Sequence, residues 1–188
     1  MNQIFAFFAL LSNIGLAVTF YLGWNISDPN SLAEPVRQQV SLHMLFALGA
    51  ISFTLLVHAI VLTYFMGTGR WIEETSAAYR FEPRARAENI RLKYKIIPGM
   101  MLCMLLLILT GAFGAIADPA SNAQMENSSL IHLSLAGATL LANALVSFIE
   151  HFQIGQNSRV VAAVYEEVLR VRKERGLDQA PEPETATQ

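Results

Sequence analysis

The sequence predicts an all-α integral membrane protein: a four-transmembrane up-down helix bundle with a cytoplasmic C-terminal amphipathic helix. Of the 188 residues, 53% are hydrophobic and 15% are charged, which is far from the composition of soluble domains. The hydrophobic residues are concentrated in four segments, at about residues 4–24, 40–66, 96–117 and 130–152. Because about 20 apolar residues cross a bilayer, each segment is predicted to be one span of a domain covering residues 1–155.

The first segment is predicted to be a retained span. No basic residue precedes its apolar run, which is also longer than the 7–15 residues or so typical of a secretory signal peptide. No small-residue cleavage site precedes Asp28.

The distribution of Lys and Arg predicts the orientation of the chain. Only Arg37 lies between the first and second spans, and none lies between the third and fourth. Seven lie between the second and third spans and five follow the fourth, so 12 of the 13 are on one side. By the positive-inside rule both termini and the middle loop are cytoplasmic, in a membrane of the bacterial inner-membrane type.

Glycine and proline predict how the middle loop is divided. Gly67 and Gly69 are expected to end the second helix. A short helix is expected over residues 73–82, ending at Pro83, and a basic helix is expected to run from Arg84 into the third span.

The C-terminal segment is predicted to form an amphipathic helix over residues 156–176, after a break at Gly155. Valines recur along it at helical spacing: Val161, Val164, Val168 and Val171. Such an apolar seam suits a protein partner or a homo-oligomer. Residues 177–188 are predicted to be a disordered tail.

Four histidines carry the functional prediction. The second and fourth spans run in the same direction, so His43 and His132 lie near their outer ends, whereas His58 and His151 lie toward the inner ends. Two facing helices therefore offer two levels of paired imidazoles. Imidazole is a common axial ligand of haem iron, and a bundle core is where such a cofactor binds.

Each histidine also has an interpretation that needs no metal. At a membrane interface His43, His132 and His151 require no ligand. His58 lies deeper, where the alternative is a hydrogen bond to a backbone carbonyl or to a polar side chain of a neighbouring span. Asn13 and Asn143, each inside a span, are expected to form hydrogen bonds between helices.

The layout of the histidines resembles the four-helix dihaem bundle of membrane cytochrome b, although no run of residues matches that family. The resemblance implies two stacked b haems bound by histidines of the second and fourth spans. It also implies small residues where each macrocycle packs, for which Gly99 and Gly114 have the same 15-residue spacing as His43 and His58.

The resemblance has further implications for cations and for the haem count. Haem propionates need cationic partners, for which Arg37 and Arg70 are the candidates. The histidines of the fourth span are 19 residues apart, against 15 in the second. His151 also lies at the interface beside Glu150, where water is expected to be available. If only one haem binds, we therefore expect it between His43 and His132.

The predicted function is a membrane b-type cytochrome with one or two haem b groups, transferring electrons to or from a partner such as quinone. We expect an electron-transfer subunit rather than a stand-alone enzyme, because no nucleophile and base are placed together and no catalytic residue is predicted. The main alternative is a cofactor-free accessory or assembly subunit of a larger membrane complex. A transporter ranks below both, and no feature points to nucleic acid.

Overall fold

The computed structural model describes residues 1–28, 31, 33–118, 120–123 and 125–177. These residues form four α-helices and no strand: α1 (Asn2–Trp24), α2 (Glu34–Tyr79), α3 (Arg84–Ala117) and α4 (Ser128–Glu174). The all-α prediction is therefore confirmed for the described residues. The predicted tail lies outside them, apart from residue 177.

All four helices are long and apolar enough to cross a membrane. Their outward faces carry large apolar side chains, such as Leu45, Leu141 and Phe148, each at least 69% exposed. A soluble protein rarely exposes so much contiguous apolar surface, whereas lipid chains would cover it. This agrees with four spans by length and composition.

The middle loop differs from the prediction, because α2 does not stop at Gly67 or Gly69. It continues to Tyr79, and the expected short helix is its last part. A glycine inside a helix costs only about 1 kcal/mol, which packing of the buried Ile72 face offsets. The chain turns instead at Arg80, which has left-handed backbone angles, before α3 begins at Arg84.

The predicted break at Gly155 is also absent. The helix α4 runs unbroken from Ser128 to Glu174, so the expected amphipathic helix is its C-terminal part. The backbone of Gly155 lies close to α1, since a Cβ there would be 3.4 Å from Asn2 Nδ2. A side chain there would make only an ordinary contact, and this glycine does not end the helix.

The helices are arranged so that each packs against its neighbours in the chain, with α1 also against α4 and α2 across to α4. One end of the bundle holds His43 and His132, near the end of α1 and the start of α4, and is called the histidine-pair end. The opposite end, where α2 connects to α3, is called the arginine-rich end. An apolar cluster including Phe5, Phe65 and Ile154 forms the core on that side.

Candidate functional site

Two histidines face each other at the histidine-pair end. The ring centres of His43 and His132 are 6.0 Å apart, and the planes of the rings are inclined at 78°. They project from α2 and α4, the two helices that the sequence predicts to be parallel. The structure thus brings this predicted pair together.

Each of these rings is held by a backbone carbonyl of a neighbouring helix. His43 Nδ1 lies 3.1 Å from the carbonyl oxygen of Thr19 in α1, and His132 Nδ1 lies 3.0 Å from that of Thr110 in α3. A carbonyl only accepts, so both Nδ1 atoms carry the hydrogen. Both Nε2 atoms are then left with a lone pair, and neither has a hydrogen-bond partner among the described residues.

Two glycines make room for the rings. Gly23 and Gly114 follow Thr19 and Thr110 by four residues, one helical turn along the same helices. A Cβ at Gly23 would be 2.8 Å from His43 Cε1, and one at Gly114 would be 3.0 Å from His132 Cε1. Both distances are below ordinary van der Waals contact, so each imidazole occupies space that only glycine leaves.

Gly114 is one of the two glycines that the sequence singled out, and it lies beside a predicted ligand. Gly23 was missed. The signal that could have found it is the Thr-x-x-x-Gly spacing that Thr19–Gly23 shares with Thr110–Gly114 near the ends of the first and third spans.

A cavity of about 570 Å³ surrounds the pair. It is lined by both histidines and by residues of all four helices, mostly apolar, among them Leu16, Leu107 and Leu140. Its volume is within the range of about 300–1,000 Å³ found for ligand and cofactor sites. The cavity therefore has room for a cofactor beside two unprotonated ring nitrogens.

The pair satisfies a simple geometric test for one metal ion. Two imidazoles that bind opposite sides of a metal through nitrogens about 2 Å from it have ring centres roughly 6 Å apart. The described residues contain no group of three or more His, Cys, Asp or Glu side chains that could hold a metal. Haem iron needs only two ligands from the protein, and the spacing of these two rings agrees with that requirement.

His58 has different surroundings. It is 1% exposed, and its Nδ1 lies 2.9 Å from Glu150 Oε1 while its Nε2 lies 3.1 Å from Asn143 Oδ1. Both ring nitrogens are engaged, so neither is free to bind iron in this arrangement. A polar side chain of a neighbouring span is the predicted alternative partner of His58, and the structure has that arrangement.

Glu150 was not recognised from the sequence. It stands beside His151 at the end of an apolar run, where the sequence predicts that water is available, but it is 0% exposed. The signal lay in its spacing: Glu150 follows Asn143 by seven residues, so both lie on one face of α4, two turns apart.

His151 and His58 have separate partners. His151 Nε2 is 3.4 Å from Asn2 Nδ2, and its ring stacks on Phe5 with centres 6.4 Å apart. Because His58 contacts Glu150 instead, the structure does not join these two histidines as it joins the other pair. A haem between His58 and His151 stays a prediction.

The remaining predicted residues lie elsewhere. A Cβ at Gly99 would be 3.0 Å from Val146, so this glycine lets α3 approach α4. Arg37 pairs with Glu34 and Arg70 with Glu74, in both cases through exposed side chains. Their predicted contacts with a haem remain untested.

Comparison with known proteins gives no guide to this site, because no protein-family model, curated protein or solved structure matches the chain. The function must be argued from the geometry of the histidines.

Proposed function

We propose that the protein is a membrane b-type cytochrome that binds one haem b between His43 and His132 and transfers electrons. The observation that carries the proposal is the facing pair of neutral imidazoles, each with its Nδ1 hydrogen on a backbone carbonyl. When a metal-binding histidine donates its other N–H to a carbonyl, that bond fixes the tautomer and the orientation of the ring. Both rings already have this arrangement.

The residues around the pair each have a part in binding. Nε2 of His43 and of His132 would hold the haem, and the carbonyls of Thr19 and Thr110 would keep the two rings in place. The glycines leave space for the rings, and the apolar walls of the cavity would exclude water and so favour the less charged state of the iron. Bound haem supplies one-electron chemistry.

The proposal is for one haem. A second haem would need a free ring nitrogen on His58, and both of its nitrogens have hydrogen-bond partners. Breaking those bonds would leave Glu150 as an unpaired buried carboxyl, which is costly in a membrane interior.

The setting that we propose follows from the charges and the helix lengths. With the arginine-rich end in the cytoplasm, the haem would lie in the outer half of a bacterial-type inner membrane. Electrons would pass to or from a quinone in the bilayer or a docked protein. A docked protein would exchange electrons at the histidine-pair end, where the haem would lie.

The test is a reduced-minus-oxidised absorption spectrum of the detergent-purified protein, produced with ample haem, together with haem quantitation. We expect the sharp α-band of low-spin bis-imidazole haem and about one haem per chain. His43→Ala and His132→Ala should each abolish the band, while the matched control His151→Ala should retain it.

A flat spectrum from haem-replete, folded protein would refute the proposal and leave the accessory-subunit alternative. Two haems per chain, with loss of one in His58→Ala, would refute the single-haem version and support the dihaem layout.

A further inference from the structure

A chain of hydrogen-bonded polar side chains crosses the interior between α1, α2 and α4. It runs from Asn13 to Asn143, then to His58, then to Glu150. Asn143, His58 and Glu150 are each no more than 1% exposed. Buried polar groups in a membrane bundle are rare and mark functional positions by default.

The hydrogen bond of Asn13 with Ala9 determines which group donates and which accepts in each of the following hydrogen bonds. Asn13 Nδ2 donates to the carbonyl oxygen of Ala9 at 2.7 Å, and a carbonyl cannot donate. The amide oxygen of Asn13 therefore accepts from Asn143 Nδ2 at 3.2 Å. That leaves Asn143 Oδ1 facing His58, so His58 Nε2 must carry a hydrogen and donate it.

The contact of His58 with Glu150 consequently requires one more proton. Nδ1 and Oε1 are 2.9 Å apart, and each has a lone pair that would repel the other if no hydrogen lay between them. The hydrogen belongs either to an imidazolium beside a carboxylate or to a carboxylic acid beside a neutral imidazole. In both forms the pair has no net charge, whereas loss of the proton would bury one uncompensated negative charge.

The other oxygen of Glu150 has no partner. Oε2 is buried without a hydrogen bond, and so are Gln153 Oε1 one turn further along α4, His151 Nδ1 and Asn2 Oδ1. Gln153, His151 and Asn2 lead from Glu150 toward the arginine-rich end. Buried polar atoms are seldom left unpaired, and internal water usually satisfies them.

The other groups that face His58 and Glu150 are few. From α3 the buried thiol of Cys103 interacts with the His58 ring. From α1 the neutral amide of Asn13 faces Asn143, and on α4 His151 follows Glu150 but bonds to Asn2. Among the described residues, Glu150 is the carboxyl group within hydrogen-bond distance of the His58 ring.

We propose that His58 and Glu150 form a buried proton-binding site that exchanges its proton with water through Glu150 Oε2 and Gln153, from the arginine-rich end. On release, the proton leaves the carboxylic acid for a bound water, which becomes hydronium. The pair then consists of a carboxylate and a neutral imidazole that still donates through Nε2. On uptake the same proton returns, and only O–H and N–H bonds are broken or formed.

Infrared difference spectroscopy tests the site in the full-length haem-free protein, independently of any haem. We expect a difference band of the His58–Glu150 pair, from the carboxylic acid or from the imidazolium, that responds to pH and shifts in D₂O. This band should be lost in Glu150→Gln and kept in the control Glu166→Gln, an exposed position on the same helix. Gln153→Met should slow the D₂O shift several-fold. A band that persists in Glu150→Gln, a band that never exchanges, or an unchanged rate in Gln153→Met would each overturn the proposal.

A second measurement needs only the wild-type fold. In ¹⁵N spectra of histidine-labelled protein, His58 should carry a hydrogen on Nε2, while His43 and His132 should carry theirs on Nδ1. Resonances can be assigned with single histidine variants, of which His43→Ala and His132→Ala leave the His58 site intact. A His58 ring protonated only on Nδ1 would overturn the proposal, because His58 Nε2 would then not donate a hydrogen bond to Asn143 Oδ1.

Discussion

The two histidines of α2 show how the same side chain acquires different chemistry in two regions of one bundle. His43 and His58 are 15 residues apart, roughly 22 Å along the helix. His43 meets a backbone carbonyl on one nitrogen and a cavity on the other, whereas His58 meets an amide oxygen on one nitrogen and a carboxyl on the other. The first arrangement leaves one ring nitrogen without a hydrogen bond, and the second engages both ring nitrogens.

The largest effect that we expect is a loss of stability when the buried His58–Glu150 pair is broken. His58→Ala leaves Glu150 buried without its partner and should lower the free energy of unfolding by about 3–5 kcal/mol. The double variant His58→Leu/Glu150→Leu should cost less than that, because it removes the unpaired carboxyl as well.

The measurement is equilibrium unfolding in mixed micelles, with His151→Ala as the control. If His58→Ala and His151→Ala cost the same, the buried pair contributes nothing particular to the fold, and the contrast between the two regions fails.

A smaller loss of stability is expected when Asn143, the hydrogen-bond partner of His58 Nε2, is replaced. Asn143→Leu removes the acceptor of the His58 Nε2 hydrogen and should cost about 1–3 kcal/mol, the usual penalty for a buried donor left unsatisfied. Haem content at the histidine-pair end should not change. A loss of haem in this variant, measured by haem quantitation, would mean that the two regions are not independent.

The histidine-pair end can be probed with two glycines of α3 that line the same cavity. Gly114→Ala places a Cβ 3.0 Å from the His132 ring, whereas the control Gly111→Ala makes only an ordinary contact of 3.7 Å with Ile51. We expect haem affinity to fall about tenfold in Gly114→Ala, which corresponds to about 1.4 kcal/mol, and to be unchanged in Gly111→Ala. Equal affinities, from haem titration of the apoprotein, would argue against the proposed ring position.

The smallest effect concerns an exposed ion pair, as a contrast to the buried one. Arg91 bonds to Glu88 at 2.7 Å, and this hydrogen bond lowers the pKa of Glu88. Any stability it adds is present above the ordinary pKa of a glutamate and is lost as the pH falls through the lowered value. Solvent screens such pairs, so Arg91→Gln should leave the Tm at neutral pH unchanged. A clear drop would show that this surface carries more of the fold than exposure suggests.

The sequence was sufficient for four long apolar helices and for the approach of His43 to His132, because length, hydropathy and depth along the helices decide both. It was insufficient for the continuity of α2 and α4, since Gly67 and Gly155 are only weak helix breakers once the flanking turns pack. It also missed the burial of Glu150. That carboxyl follows the apolar run. It is buried because it lies on the face of α4 that packs against the other helices, and position in the sequence alone does not reveal that face.

The unbroken course of α2 has a mechanical consequence. Its 46 residues correspond to a rod roughly 70 Å long, more than twice the thickness of a bilayer's hydrocarbon core, about 30 Å. His43 lies near one end of this rod, and the other end projects past the apolar segment at the arginine-rich end. Because both positions belong to one continuous helix, a rigid tilt of the projecting end would also move the imidazole of His43.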